Sequence, residues 1–495
     1  MTSPPLSLRE RDMQRIAIVG GGISGLSAAY TLEKLRAAGS AVEYTLFESS
    51  ARLGGVLQTD RSGGYVIESG ADSFLSAKSW ARDLCEEIGL RDELIYSRDC
   101  ERKTYVVLRD QLTPIPDGMQ FMVPTNSRAV MTSRLFSAGT KMRFLNEYLN
   151  PRKFKTSSDD ESVESFVARH FGAEVLDRLA EPLLAGVYGG EASKMSVRAV
   201  LPTMVKMEEE HGSLIRGMLA ARRAQSGGAA LPIFTSLRSG MQTLADALTS
   251  KLPSNSLRKS SSVQSVRFQD GWRITTKERA ERFDSLLLAV PAYVAAGLLH
   301  GVSANADNLA AELEQIRYTS SMAIALGYKA GDVARAQARL PAGFGFLVPR
   351  SQGRRMMACT FVHQKFDHRV PEGRMLLRAF FGSNRNQDLV GLTDAELVAI
   401  ARRELKEVLQ WDVEPELARV YRWARVMAQY EVGHLEHIKR IERLTGELPR
   451  FQLAGNAYQG IGIPDCIRSG QKAAQKIVNR AKPLQSEQEI ALPPC

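Results

Sequence analysis

Gly20-x-Gly22-x-x-Gly25 stands between an apolar run, Ile16-Ala17-Ile18-Val19, and a stretch of small and apolar residues that reaches Ala37. Glycines at this spacing, between a strand and a helix, let the backbone close tightly on a diphosphate. The free N–H groups of the helix start then face the phosphates. The partner acid is expected about 20 residues further on, at the end of the next strand. Glu48 closes the run "AVEYTLFES", 23 residues after Gly25, and can accept hydrogen bonds from both hydroxyls of a ribose. Arg15 to Glu48 therefore reads as a strand, a glycine turn, a helix stopped by a left-handed Gly39, and a second strand. This pattern predicts a dinucleotide site and does not choose between NAD and FAD.

Two further glycine turns make that choice. Arg52 and the doublet Gly54-Gly55 follow the acid directly, and Gly455, Gly460 and Gly462 precede a helix more than 400 residues later. NAD has no need of either turn. The longer FAD does, because its phosphates and ribityl chain run along the sheet edge and a C-terminal helix closes the flavin half. The elements between are expected to be mainly helical from about Pro124 to Arg223, where Val163, Phe166, Val167 and Phe171 recur at helical spacing. A strand meander follows, turning at Asp270-Gly271 and ending in a buried strand at Leu286. Strands dominate from Met322 to Gly382, a helix begins at the capping box of Thr393, and a strand, a glycine turn and a helix end the ordered chain.

A chain of 495 residues exceeds one core, and two or three domains are expected. Its 44 % hydrophobic and 24 % charged residues are those of a globular protein. Five scattered cysteines with no CxxC pair suit a reducing compartment. No apolar run is long enough to span a membrane, and the opening segment carries no apolar signal core. The net charge of +10 permits an anionic substrate or surface and selects none; no nucleic-acid partner is expected. His434 and His437 flank Glu436 on one helix face, but no further ligands accompany them, so no metal site is expected. No GxSxG elbow offers a nucleophile.

At "GGGISGLSAAY", "ESSARLGG", "ESGADSF", "PLLAGVYGGE", "MEEEHGSLIRGM", "GFGFLVP" and "GNAYQGIGIPDCI" the chain resembles the oxygen-dependent protoporphyrinogen and coproporphyrinogen oxidases of haem synthesis, within the flavin amine oxidase superfamily. The resemblance runs from about residue 15 to about residue 480. It implies a Rossmann-like FAD-binding domain, discontinuous in sequence (residues 14–95, 231–296 and 441–482), with a mixed-sheet substrate domain (96–123 and 297–440), a mainly helical domain (124–230) and a tail (483–495). It also implies six-electron oxidation of a porphyrinogen to a porphyrin by O2, with release of H2O2; aromatisation drives the reaction, so a strong base is not required, and the sequence singles out no catalytic residue. The FAD positions it implies are Gly20, Gly21, Gly22, Ile23, Ser24 and Gly25 at the diphosphate, Glu48 and Ser49 at the ribose, and Arg52, Gly54 and Gly55 in the second turn. Val56 and the turn Gly70, Ala71, Asp72 and Ser73 would lie by the flavin. Val263 would face adenine, and Trp423, Gly455, Ile461, Gly462 and Ile463 would close the isoalloxazine side. The substrate positions it implies are Thr104, Gly186, Gly189, Ile324, Phe346, Leu347, Phe366 and Gly382.

Protoporphyrinogen enzymes commonly carry an arginine before the tyrosine of "ERKTYVV", placed to meet a propionate; here Thr104 precedes Tyr105. That difference, with "PIPDGMQFMVPT" and "ACTFVHQKFDHRVPEGRMLLRAF", resembles the coproporphyrinogen branch more. Its substrate has four propionates instead of two, and Lys78, Arg102, Lys103, His363 and Lys365 are candidate cationic contacts. Protoporphyrinogen oxidation, another flavin amine oxidase, and a non-catalytic carrier of the same fold remain alternatives; intact Glu48, Arg52 and Gly54-Gly55 count against the carrier. A cytoplasmic enzyme is expected, with transfer of product to a haem-pathway chelatase as an option. The cations Arg128, Arg134, Lys141, Arg143, Arg152, Lys153 and Lys155 alternate with Leu135, Phe136, Phe144 and Leu145, a pattern that would allow peripheral contact with anionic lipid at the inner face of a membrane.

Overall fold

A computed structural model describes residues 13–151, 160–224, 232–336, 340–382 and 386–479. Arg152, Lys153, Lys155 and the tail from residue 483 lie outside them. Gln14–Val19 forms the centre of a five-stranded parallel sheet, flanked by Val42–Phe47 and then Leu257–Arg258 on one side, and by Ser285–Leu288 and then Phe451–Leu453 on the other. Ile16, Ala17, Ile18, Leu286, Leu287 and Leu288 are wholly buried. Both faces of such a sheet are covered, so its strands read as apolar runs with no alternation. The first helix, Ile23–Ala37, ends with Gly39 at φ +93°, as the sequence predicts. It packs directly on the last described helix, Ile463–Asn479, and both helices begin at the same end of the sheet. The meander is present as Ser265–Phe268, Trp272–Thr275 and Ala280–Phe283, turning at Asp270-Gly271 and running into the buried parallel strand Ser285–Leu288.

A second, seven-stranded sheet has the order Leu417–Ala428, Tyr318–Lys329, Arg374–Gly382, Ala358–Phe361, Gly345–Leu347, Thr104–Leu108, Gln111–Pro114. Every pairing is antiparallel except Gly345–Leu347 with Thr104–Leu108. Side chains alternate across it. Met322, Ile324, Leu326 and Tyr328 form a buried core with Leu397, Ala401 and Leu405 of the helix Asp394–Leu409, which starts at the Thr393–Glu396 capping box. Ser321 and Ala323 alternate to the opposite face.

Between Ser127 and Ala224 the described chain is helical throughout its regular elements. Phe136, Phe144, Phe166 and Phe171 fill its core, each worth roughly 1.5–3 kcal/mol of burial. The expected lipid-facing pattern is thereby corrected in part: Leu135, Phe136 and Phe144 are buried, and only Leu145 of the four apolar residues named is exposed. No described helix is long and apolar enough to cross a membrane.

Candidate active site

A large cavity of about 1880 Å³ runs from the end of the parallel sheet to one face of the seven-stranded sheet. Sites for one small ligand usually measure 300–1,000 Å³, so this one has room for a dinucleotide and a second molecule.

At its parallel-sheet end, Gly20 has φ +107°, and a Cβ there would lie 2.4 Å from the Ala289 carbonyl oxygen. Gly22 caps the first helix, whose first turn holds no acidic residue, so its positive end faces the cavity without a charge of its own to neutralise it. A Cβ on Gly25 would stand 1.9 Å from the Gly20 carbonyl oxygen: this glycine lets the helix close up under the turn and does not itself border the cavity. Nor does Gly21, whose N–H donates to Glu48 Oε2 at 2.8 Å. The Ser50 N–H donates to the other oxygen at 2.7 Å, and the Ser49 hydroxyl reaches it at 3.2 Å. These bonds fix a carboxylate that keeps lone pairs for a diol.

The second glycine turn is tied to the first. The Gly54 N–H donates to the Gly21 carbonyl at 2.8 Å, and Gly22 and Gly54 form a parallel bridge. Arg52 lies behind this turn. It donates to the carbonyls of Leu53 (2.9 Å) and Leu57 (2.8 Å) and to that of Gly55, so it braces the loop and does not line the cavity. Val56 and Gly70 meet back to back, with no room for a Cβ on Gly70, and Ala71, Asp72 and Ser73 continue along the wall. Trp423 Nε1 donates to the Ser69 carbonyl at 2.7 Å, which pins the indole beside them. Ser261 donates its N–H to the Glu48 carbonyl at 2.8 Å and thereby brings Val263 to the same end of the cavity as Glu48.

The C-terminal turn closes the other side. The Tyr430 hydroxyl accepts from the Gly460 N–H at 2.7 Å and donates to the Asn456 carbonyl at 2.8 Å. Lys78 binds both oxygens of Asp465 at 2.7 Å, holding the start of the last helix; Gly455, Ile461, Gly462 and Ile463 border the cavity. His434 stacks on Tyr430 with centroids 3.9 Å apart, and burial pushes its imidazole down to about 4, so it is neutral near pH 7. His437 instead bonds the Glu312 carbonyl at 2.9 Å. Burial raises the Cys466 thiol to about 12, which leaves it an inert thiol.

The sheet pleat sorts the expected substrate residues. Thr104 and Leu347 border the cavity, as does Gly186 from the helix Glu181–Tyr188. Ile324 does not: it faces the opposite core with Leu377 and Leu397. Phe346 touches the cavity edge, but its ring packs into that same core, 6.0 Å from Phe361. Phe366 is buried outside the cavity under the Lys365 and Arg369 side chains. Gly189 and Gly382 also lie off the cavity; their hydrogens occupy places where a Cβ would strike Thr319 and the Ser320 carbonyl. Among the proposed cations, Arg102, Lys103 and His363 do not border it, and Lys78 is spent on Asp465. Lys365 borders it and donates to Asp72 at 3.0 and 3.3 Å. Burial opposes a charge on Asp72, yet Lys365 and Arg378 outweigh it and hold the carboxyl well below its ordinary range. Phe380, Arg378, Ala323 and Ala358 of the same sheet face were missed in the sequence; only strand register distinguishes them from their core-facing neighbours.

The cavity wall fits a flavin dinucleotide: a turn with no space for a Cβ, a bare helix N-terminus, a fixed carboxylate and a second turn stitched to the first. Residues 23–478 match the family described as flavin containing amine oxidoreductase. The coproporphyrinogen III oxidase of Bacillus subtilis (strain 168) is 33 % identical over 469 residues, covering 93 % of this chain and 97 % of that protein. That of Staphylococcus aureus (strain NCTC 8325 / PS 47) is 30 % identical, covering 94 % and 98 %. Protoporphyrinogen oxidase 2 of Arabidopsis thaliana is 27 % identical, covering 94 % of each chain. A crystal structure described as that of a protoporphyrinogen oxidase from Exiguobacterium sp. 255-15 superposes with a TM-score of 0.83 at 30 % identity, covering 94 % of this chain and 99 % of the other. This chain belongs to the flavin-containing amine oxidoreductases, in their porphyrinogen oxidase branch. It is a flavin-dependent oxidoreductase.

Proposed function

We propose that this protein oxidises coproporphyrinogen III to coproporphyrin III with FAD as its cofactor. Three O2 accept six electrons and leave as three H2O2. The observation that carries this reading is the cavity's composition at its far end: a sheet face of Gly345, Leu347, Ala358, Ala323 and Phe380, with Gly186 also on the cavity border, suited to a flat macrocycle. The bound isoalloxazine supplies the two-electron acceptor chemistry. The chain's own residues orient and exclude water. Gly20, Gly22, Ile23 and Ser24 receive the diphosphate, Glu48 and Ser49 the adenosine ribose, and Val263 the adenine. Val56, Gly70 to Ser73, Trp423, Gly455 and Ile461 to Ile463 enclose the ring system. Thr104, Leu347 and Gly186 border the substrate.

The similarity to coproporphyrinogen III oxidases at 33 and 30 % identity supports this substrate over protoporphyrinogen IX, as does Thr104 on the cavity wall. We assign the enzyme to the cytoplasm, with delivery of its porphyrin to a chelatase. Met131, Met142, Leu145, Tyr148 and Leu149, exposed beside Arg128, Lys141 and Arg143, support peripheral contact with anionic lipid. The deciding experiment mixes the flavin-loaded protein anaerobically with each porphyrinogen, admits O2 and follows porphyrin fluorescence. Faster turnover of coproporphyrinogen III is expected. Faster turnover of protoporphyrinogen IX overturns the substrate, and a colourless protein that takes up no FAD overturns the cofactor.

A further inference from the structure

Among the described residues of this sheet that border the cavity, Arg378 is the one that carries a charge. Arg378 stands in mid-sheet, paired with Ala325 on one side and Thr360 on the other, and is only 3 % exposed. Phe380, two residues on and therefore on the same face, lies under its guanidinium with 4.9 Å between them. Arg378 Nη2 donates to the Gly70 carbonyl, while its Nε is buried with no partner.

Other cations border the cavity, and each has a carboxylate: Lys78 has Asp465, Lys365 has Asp72, Lys439 has Glu436 and Arg198 has Glu209. Arg378 forms no ion pair with a described residue. Behind it, Arg369 faces Glu68 at 3.5 Å. Lys365, Arg369 and Arg378 thus set three cations against the two carboxylates Asp72 and Glu68 in a nearly dry wall. Burial disfavours the charged form of both arginines. A surplus buried cation is costly unless an anion comes near it, and Arg378 borders the cavity, the side from which an anion can come.

We infer that Arg378 is the seat of one carboxylate of the substrate, and that the Lys365–Asp72 pair positions its guanidinium from behind. The inference rests on the porphyrinogen reading above and deepens it. Arg378 lies on the same face as Thr104 and Leu347, where that reading puts the macrocycle. A substrate with four propionates needs a cation that one with two does not, and Lys78 and Lys365 are already engaged. Arginine suits the task because its fork stays charged when buried and can meet a carboxylate through two bonds.

The test compares wild type, Arg378→Met and Arg378→Lys as flavin-loaded proteins, on coproporphyrinogen III and on its uncharged tetramethyl ester. Losing a charge-assisted bond should raise KM for the acid about 10- to 100-fold in Arg378→Met, with kcat little changed. Arg378→Lys should recover most of that loss, and KM for the ester should not move. Wild type should also bind the product coproporphyrin III at least about tenfold more tightly than its tetramethyl ester, a measurement that needs no variant. An equal change for acid and ester overturns the inference. So does a change in flavin content or spectrum without a change in KM, which would give Arg378 to the cofactor. Wild type that oxidises neither porphyrinogen overturns the reaction itself, a result separate from unaltered kinetics in Arg378→Met.

Discussion

Gly470 gives the most direct handle on how the two cofactor-facing helices are held. It sits in the last described helix where that helix crosses the first, and a Cβ there would lie 2.0 Å from the Ser24 carbonyl oxygen and 3.1 Å from the Ala28 nitrogen. Ordinary contact begins near 3.4 Å. In Gly470→Ala the helices must therefore separate by more than 1 Å or tilt, because the obstacle is backbone, which has no rotamer to change. Overpacking of this kind costs about 1–3 kcal/mol. The helix preference of alanine over glycine returns at most about 1 kcal/mol. A net destabilisation of roughly 1–2 kcal/mol is expected. Ser24 borders the cavity beside the first glycine turn and Ile463 borders it at the start of the last described helix, so the same movement should weaken FAD binding by about tenfold, the scale of a displaced helix terminus. Gly297→Ala is the control. Gly297 is exposed in the helix Ala292–Leu299 with nothing within 4 Å of its would-be Cβ, so the same substitution should stabilise by up to about 1 kcal/mol. Urea unfolding and titration of the apoprotein with FAD measure both effects. A Gly470→Ala protein with wild-type stability and FAD affinity would refute the argument, as would equal destabilisation by the two substitutions.

Glu48→Gln keeps the shape of a side chain whose oxygens accept from Gly21 and Ser50 but removes its charge; FAD affinity, read by flavin fluorescence quenching, should fall about 10- to 100-fold, and an unchanged Kd would remove Glu48 from the ribose site. Thr104→Arg adds a cation to the cavity wall and should move the ratio of kcat/KM for protoporphyrinogen over coproporphyrinogen about tenfold upward; no change in preference would discredit the role given to this position. His170 lies buried between Glu147 and Glu208 in the helical region. Burial opposes its charge, but the two carboxylates raise its pKa above 6.5, while Arg169 and His170 overcome burial and draw Glu208 down to about 2 from 4.5. The histidine's contribution is complete below pH 6.5 and fades as pH rises through its folded value. That of Glu208 is complete above pH 4.5 and fades as pH falls towards about 2. The stability lost in His170→Gln should thus be greatest between pH 4.5 and 6.5 and shrink on going alkaline; a loss independent of pH contradicts the coupling.

Much of the parallel-sheet end of the cavity was legible in the sequence because its constraints act on the backbone. Only glycine fits where Gly20 meets Ala289 or where Gly70 meets Val56, so residue type alone marks these places. The spacing from Gly25 to Glu48 is equally readable, being the length of one helix and one strand. Arg52 shows where such reading stops. Its neighbourhood to Gly54 and Gly55 is visible in sequence, but whether its guanidinium faces a ligand or the carbonyls of Leu53 and Leu57 depends on a loop conformation that adjacency does not determine.

The substrate end is governed by a different geometry. A strand shows one face on even positions and another on odd ones, and shifting a residue by one exchanges cavity for core. Ile324 and Ala323, or Phe346 and Leu347, are therefore equivalent to any reading of composition, and only the register against Ala379, Phe380, Cys359 and Ala358 separates them. Arg378 escaped notice for the same reason: in "MLLRAFFG" it reads as one charge among apolar residues, which in a strand normally marks a solvated face. Both faces of this strand are covered, and that changes the meaning of the charge. In a solvated strand such a charge costs nothing, but in a covered one it has to be compensated; the Gly70 carbonyl does so in part, and Arg378 also borders the cavity that Thr104 and Leu347 share.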